Sequence, residues 1–168
     1  MRTATESDKI LWTRWHGAMP RDAEDGHWEW DTFIDLARAM PQRFAVYVIE
    51  AEGELQGMRM LEVSEDDVAT YGTHAFRLST APWNRLPEHR YKGVGSLLVS
   101  AAILRSMADG HKGHVHCESL PLAESFHQKN GMTDIKDLSI EGLKRFRFTE
   151  EAAQSFLTNL RAKGLIDG

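Results

Sequence analysis

The sequence predicts one domain of the mixed α/β (α+β) class, and three observations support this prediction. The 168 residues suffice for a single hydrophobic core. Runs rich in β-branched and aromatic residues begin at residues 44–50. A strand, a loop and an amphipathic helix then follow one another between residues 74 and 107, and a further short strand follows them. This order indicates a mixed sheet with one parallel crossover.

The composition excludes several classes of protein. Charged residues make up 27% of the chain and hydrophobic residues 42%, which is typical of a globular protein. The single cysteine, Cys117, excludes a disulfide scaffold and favours a reducing compartment. With 20 basic and 25 acidic residues the net charge is −5, so we expect no broad surface for nucleic acid or anionic lipid.

Neither a targeting segment nor a membrane span is evident. The start, MRTATESDKI, lacks the apolar core of a signal peptide, and the apolar run VGSLLVSAAIL is too short to cross a bilayer. We therefore expect a cytoplasmic protein with no membrane partner. No linker composition divides the chain, so residues 1–168 are expected to form a single domain.

The first half of the chain predicts helices followed by a hairpin. Residues 1–43 have a helical and irregular pattern, with a helix over residues 28–40 that Pro41 ends. Residues 8–19 fit either a helix or a strand. Residues 44–50 and 55–63 predict an antiparallel hairpin around a turn at Glu52 and Gly53, and an acidic loop follows at residues 64–67.

The second half alternates strands and helices. Strands are predicted over residues 74–80, 114–119 and 143–148, and helices over residues 94–107 and 121–130. Residues 81–92 form a loop between the first of these strands and the first helix. Thr149, followed by two glutamates, is a suitable start for a final helix within residues 149–163.

The segment most informative about function is Arg90-Tyr91-Lys92-Gly93-Val94-Gly95-Ser96, which lies between a strand and a helix. Two glycines let a polyanion approach the main chain closely, and the helix start supplies N–H groups and a partial positive charge. The pattern fits a diphosphate site with cations at its rim. A tight turn that merely packs the helix is the alternative. The P-loop and dinucleotide motifs fit these glycines less well.

At this point the chain resembles the GNAT superfamily of acyl-CoA N-acyltransferases. Arg90, Gly93 and Gly95 match the family motif [Q/R]-x-x-G-x-[G/A]. Residues 123–132, AESFHQKNGM, match the spacing of its second motif, A-x-x-F-Y-x-x-x-G-F. The resemblance covers residues 44–148, and the strings APWNR and LKRFRFT also resemble a bacterial subgroup whose substrates are unassigned.

The resemblance implies a GNAT-type fold with a splayed central sheet flanked by helices. Acetyl-CoA, the expected co-substrate, would lie between the strand that ends at Thr80 and the strand that begins at His114. The expected contacts to its pantetheine and diphosphate are made by Leu78, Ser79, Thr80, Arg90, Lys92, Gly93, Val94, Gly95 and Ser96. Residues 1–43 would form the wall of the acceptor site.

The reaction implied by the resemblance is direct attack of a primary amine on the thioester in a ternary complex. His127 stands where the family has a tyrosine that protonates the CoA thiolate, and an imidazolium can serve as that acid. Leu120 stands where an asparagine is common. Glu118 and Glu62 are candidate bases. For His127, Glu118 and Glu62, a purely structural role is the alternative.

Two other groups of residues invite a chemical interpretation. His111, His114, His116 and Cys117 are close in sequence, but strand alternation puts Cys117 on the face opposite His114 and His116, so we expect no metal site. Cys117 itself is expected to be a small buried side chain.

Four of the five tryptophans precede residue 31, and they are mixed with five acidic residues: Asp22, Glu24, Asp25, Glu29 and Asp31. These residues would form an aromatic and acidic wall that binds a cationic amine. The alternative is that the tryptophans pack in the core and the acidic residues lie in a solvated loop.

Two other functions remain open from the sequence. One is an acyl-CoA-binding module without turnover, which the histidine at residue 127 motivates. The other is a toxin-like enzyme that acetylates aminoacyl-tRNA, for which a basic patch would be needed; its members would be Arg85, Arg90, Lys92, Arg145 and Arg147. The net acidity argues against nucleic acid. A homodimer through the C-terminal strands is compatible with the sequence.

Overall fold

The computed structural model describes residues 1–62, 72–85, 88–139 and 141–167. Its strands are β1 (Arg2–Thr3), β2 (Phe44–Ala51), β3 (Glu54–Glu62), β4 (Thr73–Thr80), β5 (Val115–Ser119), β6 (Thr133–Leu138) and β7 (Lys144–Phe148). Its helices are α1 (Asp8–His16), α2 (Trp30–Ala39), α3 (Val94–Ala108), α4 (Glu124–Lys129) and α5 (Glu150–Ala162). Single 3-10 turns occupy Pro82–Asn84 and Pro121–Ala123.

The seven strands form one mixed sheet in the order β1-β2-β3-β4-β5-β7-β6. The β4–β5 pair is parallel and joins Thr73 to Val115 and His74 to His116. The pairs β1–β2, β2–β3, β5–β7 and β6–β7 are antiparallel. A parallel pair connected through α3, in the same sheet as these antiparallel pairs, confirms the predicted mixed α/β class.

The β2–β3 hairpin confirms the first strand pair predicted from the sequence. Ala51 pairs with Glu54 around the two residues Glu52 and Gly53, whose φ angles are 55° and 75°. Two successive residues with positive φ match the twist of a two-residue hairpin loop, and glycine adopts that conformation readily. Residue 63 and the acidic loop at 64–67 lie outside the described residues.

Residues 1–62 and 77–98 form one compact unit, whose interior is rich in tryptophan. Trp12, Trp15, Trp28 and Trp30 are all buried. The Trp30 ring makes edge-on contacts with Trp28 (centroids 6.4 Å apart) and with Phe33 (5.5 Å). Such aromatic pairs stabilise a core beyond the area that they bury. Residues 8–16 are a helix, which resolves the ambiguity that the sequence left there.

A second compact unit comprises residues 63–76 and 99–168, as far as they are described. Phe146 and Phe148 of β7 are fully buried, and Phe148 packs against Phe156 of α5 at 5.5 Å. The hydroxyl of Thr149 accepts a hydrogen bond from the Ala152 N–H (3.3 Å) and so caps α5. The predicted start of the last helix is therefore confirmed.

The structure differs from the sequence prediction at β6 and in α3. Strand β6 (TDIKDL) pairs with β7, and the register of this pairing shifts between Asp134 and Leu138. None of the β6 residues is buried. An edge strand that is not buried carries no hydrophobic alternation to predict it. In α3, Leu104 is exposed, whereas Val99, Ala102 and Ile103 are buried. The sequence predicted an amphipathic helix here, but the buried side chains extend around more of α3 than one narrow apolar face.

Among the described residues, no helix combines the length and the apolar character that crossing a bilayer requires.

We expect Gly57→Ala to destabilise the first unit. A Cβ at residue 57 would lie 2.7 Å from Val94 Cγ1, 2.8 Å from Leu98 Cδ1 and 3.2 Å from the Ser79 carbonyl oxygen. Overpacking of this kind costs about 1–3 kcal/mol, and a loss of about 2–4 °C in Tm per kcal/mol is expected for a chain of this size.

Gly17→Ala is the matched control, because the φ of Gly17 is −63° and an added Cβ would meet only carbonyl oxygens at 3.8 Å. Differential scanning calorimetry compares the two variants. Equal melting temperatures would contradict the close packing of α3 on β3.

Candidate functional site

Main-chain hydrogen bonds and a proline hold the first part of the loop after β4, the sequence Ala81-Pro82-Trp83-Asn84-Arg85. The Ala81 N–H donates to the Gln56 carbonyl on β3 (2.9 Å), and Pro82 begins the 3-10 turn with its ring in the first position. The Asn84 N–H closes that turn on the Ala81 carbonyl (2.9 Å). The chain therefore leaves β4 in one defined direction.

Gln56 and Asn84 form a buried pair that organises this loop. Asn84 Nδ2 donates to Gln56 Oε1 (3.0 Å), and Trp83 Nε1 donates to the same oxygen (2.8 Å). Gln56 Nε2 donates to the Ala51 carbonyl (3.3 Å), and Asn84 Oδ1 accepts from the Tyr91 N–H (2.9 Å). Because both side chains are buried, losing either would leave polar groups unsatisfied. Sequence reasoning missed this pair; the APWNR string was its only signal.

Gly93 connects the loop to α3. Its φ of 82° lies in the left-handed region, which glycine adopts without the strain that a Cβ introduces. The Gly93 carbonyl accepts from the Leu97 N–H (2.9 Å), so the helix begins directly after this residue, at Val94. The first turn of any helix presents N–H groups that have no intrahelical acceptor, at the positive end of the helix dipole. Residues 93–96 can therefore bind an anion through the main chain.

The two cations predicted at the rim of this turn differ in their surroundings. Lys92 is exposed. Arg90 donates to Glu52 (2.7 Å) and to Glu54 on the neighbouring hairpin. These carboxylates raise the pKa of the Arg90 guanidinium, and Arg90 in turn lowers the pKa of Glu52. Arg90 thus joins the loop to the β2–β3 hairpin.

Asp25 binds the end of β4 through Arg85. Its carboxylate accepts from Arg85 Nη1 (2.7 Å) and Nη2 (2.6 Å), and the Ser79 hydroxyl adds a third hydrogen bond (2.5 Å). Burial by itself raises the pKa of Asp25, but Arg85 and Ser79 more than offset this and hold the pKa below its usual value. The Asp25 carboxylate is therefore committed to Arg85 and Ser79.

The predicted pantetheine strand, residues 78–80, is the last part of β4. Ser79 is buried, and Leu78 and Thr80 are half-buried. The Thr80 carbonyl accepts from Arg85 Nε (2.8 Å). The Ser79 carbonyl lies beside Gly57 of β3, 3.2 Å from the position that a Cβ would take there.

His127 lies on α4 and is buried. Its ring stacks on Phe146 (centroids 5.6 Å apart), and the sulfur of Cys117 lies 3.7 Å from Nδ1 and 3.9 Å from Nε2. Met132 is also next to Cys117, at 4.0 Å between the sulfurs. Cys117 is therefore packed as a small buried side chain. A buried imidazole beside a thiol can donate or accept a proton, but it also serves well as a packing group.

Each candidate base is paired with an arginine. Glu118 of β5 accepts from Arg145 of β7 (3.4 Å), which stands opposite it in the sheet register. Glu62 at the end of β3 accepts from Arg43 Nε (3.0 Å) and Nη2 (2.6 Å).

The histidines near Cys117 do not converge on one point. His116 stacks on His74 of β4, with centroids 4.6 Å apart and ring planes 4° apart. Across the described parts of the chain, no three metal-ligating side chains are grouped.

The tryptophans of the predicted acceptor wall belong to the core, because Trp12, Trp15, Trp28 and Trp30 are buried. Of the proposed basic patch, three arginines are ion-paired: Arg85 with Asp25, Arg90 with Glu52, and Arg145 with Glu118.

No protein-family model and no curated protein matches the sequence. Solved structures do match it. A protein from Desulfovibrio desulfuricans assigned to the GNAT family of acetyltransferases has a TM-score of 0.64 at 13% identity, over 89% of this chain and 97% of that one. AtaTR in complex with acetyl-CoA has a TM-score of 0.65 at 13% identity, over 93% and 96%.

PaiA N-acetyltransferase from Thermoplasma acidophilum, in complex with coenzyme A, has a TM-score of 0.58 at 14% identity, over 87% of this chain and 95% of that one. At such identities the similarity concerns the fold. The mixed seven-stranded sheet flanked by helices agrees with it. The chain has the fold of the GNAT acetyltransferases.

Proposed function

We propose that this protein is an N-acetyltransferase that transfers the acetyl group of acetyl-CoA to a primary amine of a small molecule or a protein. The observation that carries the proposal is the Gly93 turn, which leads directly into the N-terminus of α3. Two of the matched structures, AtaTR and PaiA, hold acetyl-CoA or coenzyme A in the same fold, which supports this co-substrate.

The diphosphate of acetyl-CoA would bind the main-chain N–H groups of residues 93–96. Oriented N–H groups and the helix dipole both favour a doubly charged group at this position. Lys92 is exposed beside the turn and would add a positive charge. Arg90 is paired with Glu52 and Glu54, so we assign it first to holding the loop.

The pantetheine arm would bind the main-chain edge of β4 that Leu78 and Thr80 present, because the Ser79 carbonyl faces Gly57 of β3. An extended strand can add hydrogen bonds along one edge in the way that a further strand would. The Thr80 carbonyl is occupied by Arg85, so Leu78 and the Thr80 N–H are the groups that remain for the amide-rich arm.

The reaction would proceed in a ternary complex. The amine nitrogen attacks the thioester carbonyl carbon, the carbon–sulfur bond breaks, and CoA leaves as a thiolate. Glu118 or Glu62 would accept a proton from the amine, and the His127 imidazolium would donate one to the thiolate. Holding both substrates together supplies much of the rate acceleration.

An acyl-CoA-binding module with little or no turnover is the second candidate. The burial of His127 between Phe146 and Cys117 favours it, because this environment also suits a packing side chain. Release of free CoA in the presence of a panel of amines distinguishes the two: tight binding of CoA without any release indicates the module.

We expect Gly93→Ala to abolish most acetyl-CoA binding. A Cβ at a φ of 82° strains the turn and crowds the approach of the diphosphate to the main chain. Isothermal titration with acetyl-CoA should give an affinity loss of about tenfold or more.

Gly110→Ala is the matched control, since Gly110 has a φ of 85° and open space around it at the end of α3. It introduces similar backbone strain at a position away from the turn. An equal loss of affinity in both variants would contradict a diphosphate site at Gly93.

We expect His127→Ala to lower kcat much more than it raises the KM for acetyl-CoA, by about 10²-fold or more if His127 is the acid. His127→Gln tests the same role with a side chain that fills more of the space but does not titrate. Steady-state kinetics with monitoring of free thiol measures both variants. An unchanged kcat in folded His127→Ala protein would exclude the acid role.

A further inference from the structure

An ion pair between the buried Asp25 and the partly exposed Arg85 joins the segment between α1 and α2 to the end of β4. Asp25 is 8% exposed, and its two oxygens bind the two terminal nitrogens of Arg85 at 2.7 and 2.6 Å. Arg85 Nε donates to the Thr80 carbonyl (2.8 Å), and the Ser79 hydroxyl donates to Asp25 (2.5 Å). All three guanidinium nitrogens are therefore used, and the two-point contact fixes their orientation.

These bonds determine the orientation of the peptide group between Thr80 and Ala81. Its carbonyl accepts from Arg85, and its N–H donates to the Gln56 carbonyl (2.9 Å). Because the peptide group is planar, two hydrogen bonds on its opposite sides leave it little freedom. The Ser79 side chain is fixed by the same carboxylate.

The ion pair lies at the edge of β4 that turns away from β3. The Ser79 carbonyl lies beside Gly57 of β3, and main-chain groups of successive residues in a strand point to opposite edges. The main-chain groups of Leu78 and Thr80 therefore face the other edge, where Arg85 binds Thr80. This is the edge that the proposed function assigns to pantetheine.

We propose that Asp25 is a positioning residue for acetyl-CoA, acting through Arg85 to hold the main-chain edge at residues 78–80 in its binding geometry. The inference rests on the proposed function. Asp25 makes no contact with the co-substrate in this account. Asp25 neutralises Arg85 and orients the Arg85 Nε toward the Thr80 carbonyl. The affinity for acetyl-CoA therefore depends on a residue in the segment before α2.

The test compares Asp25→Asn with wild type by titration with CoA and by steady-state kinetics. Asp25→Asn keeps the shape but loses the charge that holds Arg85. We expect the Kd for CoA and the KM for acetyl-CoA to rise about tenfold, with kcat changed by less than about threefold. Asp35→Asn, the same change at an exposed ion pair with Lys9, is the control and should leave both values unchanged.

The outcomes separate this inference from the proposed function. If wild type does not bind CoA, the proposed function fails and takes the inference with it. If wild type binds CoA and folded Asp25→Asn binds it within about twofold, the inference alone is overturned. Should Asp25→Asn not fold, Arg85→Lys replaces it, because lysine keeps the cation but cannot bind Asp25 and Thr80 together.

A double-mutant cycle shows whether Asp25 acts through Arg85. If it does, Asp25→Asn combined with Arg85→Gln weakens CoA binding no more than the stronger single variant. Additive losses would mean that the two residues act independently, and they would contradict the inference.

Acid unfolding tests whether the ion pair forms in solution. The pKa of Asp25 is lower in the folded protein than in the unfolded chain, so its stabilisation is complete above the unfolded value and is lost as the pH falls through the folded one. Below about pH 4 the free energy of unfolding should therefore fall more steeply for wild type than for Asp25→Asn. Parallel curves would show that the pair is absent and would overturn the inference.

Discussion

The hydrogen bonds of the buried Gln56–Asn84 pair fix the path of the chain from β4 to α3, and the candidate site depends on them. Gln56 belongs to β3, whereas Asn84 belongs to the loop, and Asn84 also receives the N–H of Tyr91 just before the glycine turn. Buried polar groups of this kind are costly to leave unpaired, so alternative loop paths are strongly disfavoured. The position of the α3 N-terminus follows from this constraint together with its close approach to Gly57.

A main-chain anion site needs such a rigid framework. Its affinity comes from N–H groups that must already point at the ligand, because reorganising a loop on binding would offset the gain. Two arginines contribute ion pairs to the framework from different directions. Arg90 joins the loop to the β2–β3 hairpin through Glu52 and Glu54, and Arg85 joins the end of β4 to Asp25. Two arginines thus hold the segments that form the candidate site.

The features that the sequence predicted well are those with a local signature. The hairpin around Glu52 and Gly53, the helix that starts after Gly93 and the Thr149 cap each depend on residues within a few positions of one another. The mixed sheet followed from the order of these elements. The motif spacing around Gly93 and His127 led to the GNAT fold, which the solved structures confirm.

The features that the sequence did not predict depend on long-range partners. Asp25 and Arg85 are 60 residues apart, and nothing local distinguishes Asp25 from the other acidic residues around it. Strand β6 has no buried face, so no alternation marks it. From the sequence, the tryptophans before residue 31 could belong either to the core or to the wall of a binding site. Their burial in the structure shows that they belong to the core.

The most direct test of the account compares the binding of CoA with that of S-acetylpantetheine, which lacks the diphosphate and the nucleotide. Isothermal titration of the wild-type protein measures both. The account predicts measurable heat and an affinity for CoA about 10²-fold or more above that for S-acetylpantetheine, decreasing as salt is added. Equal affinity for the two molecules, or no heat with CoA, would contradict it.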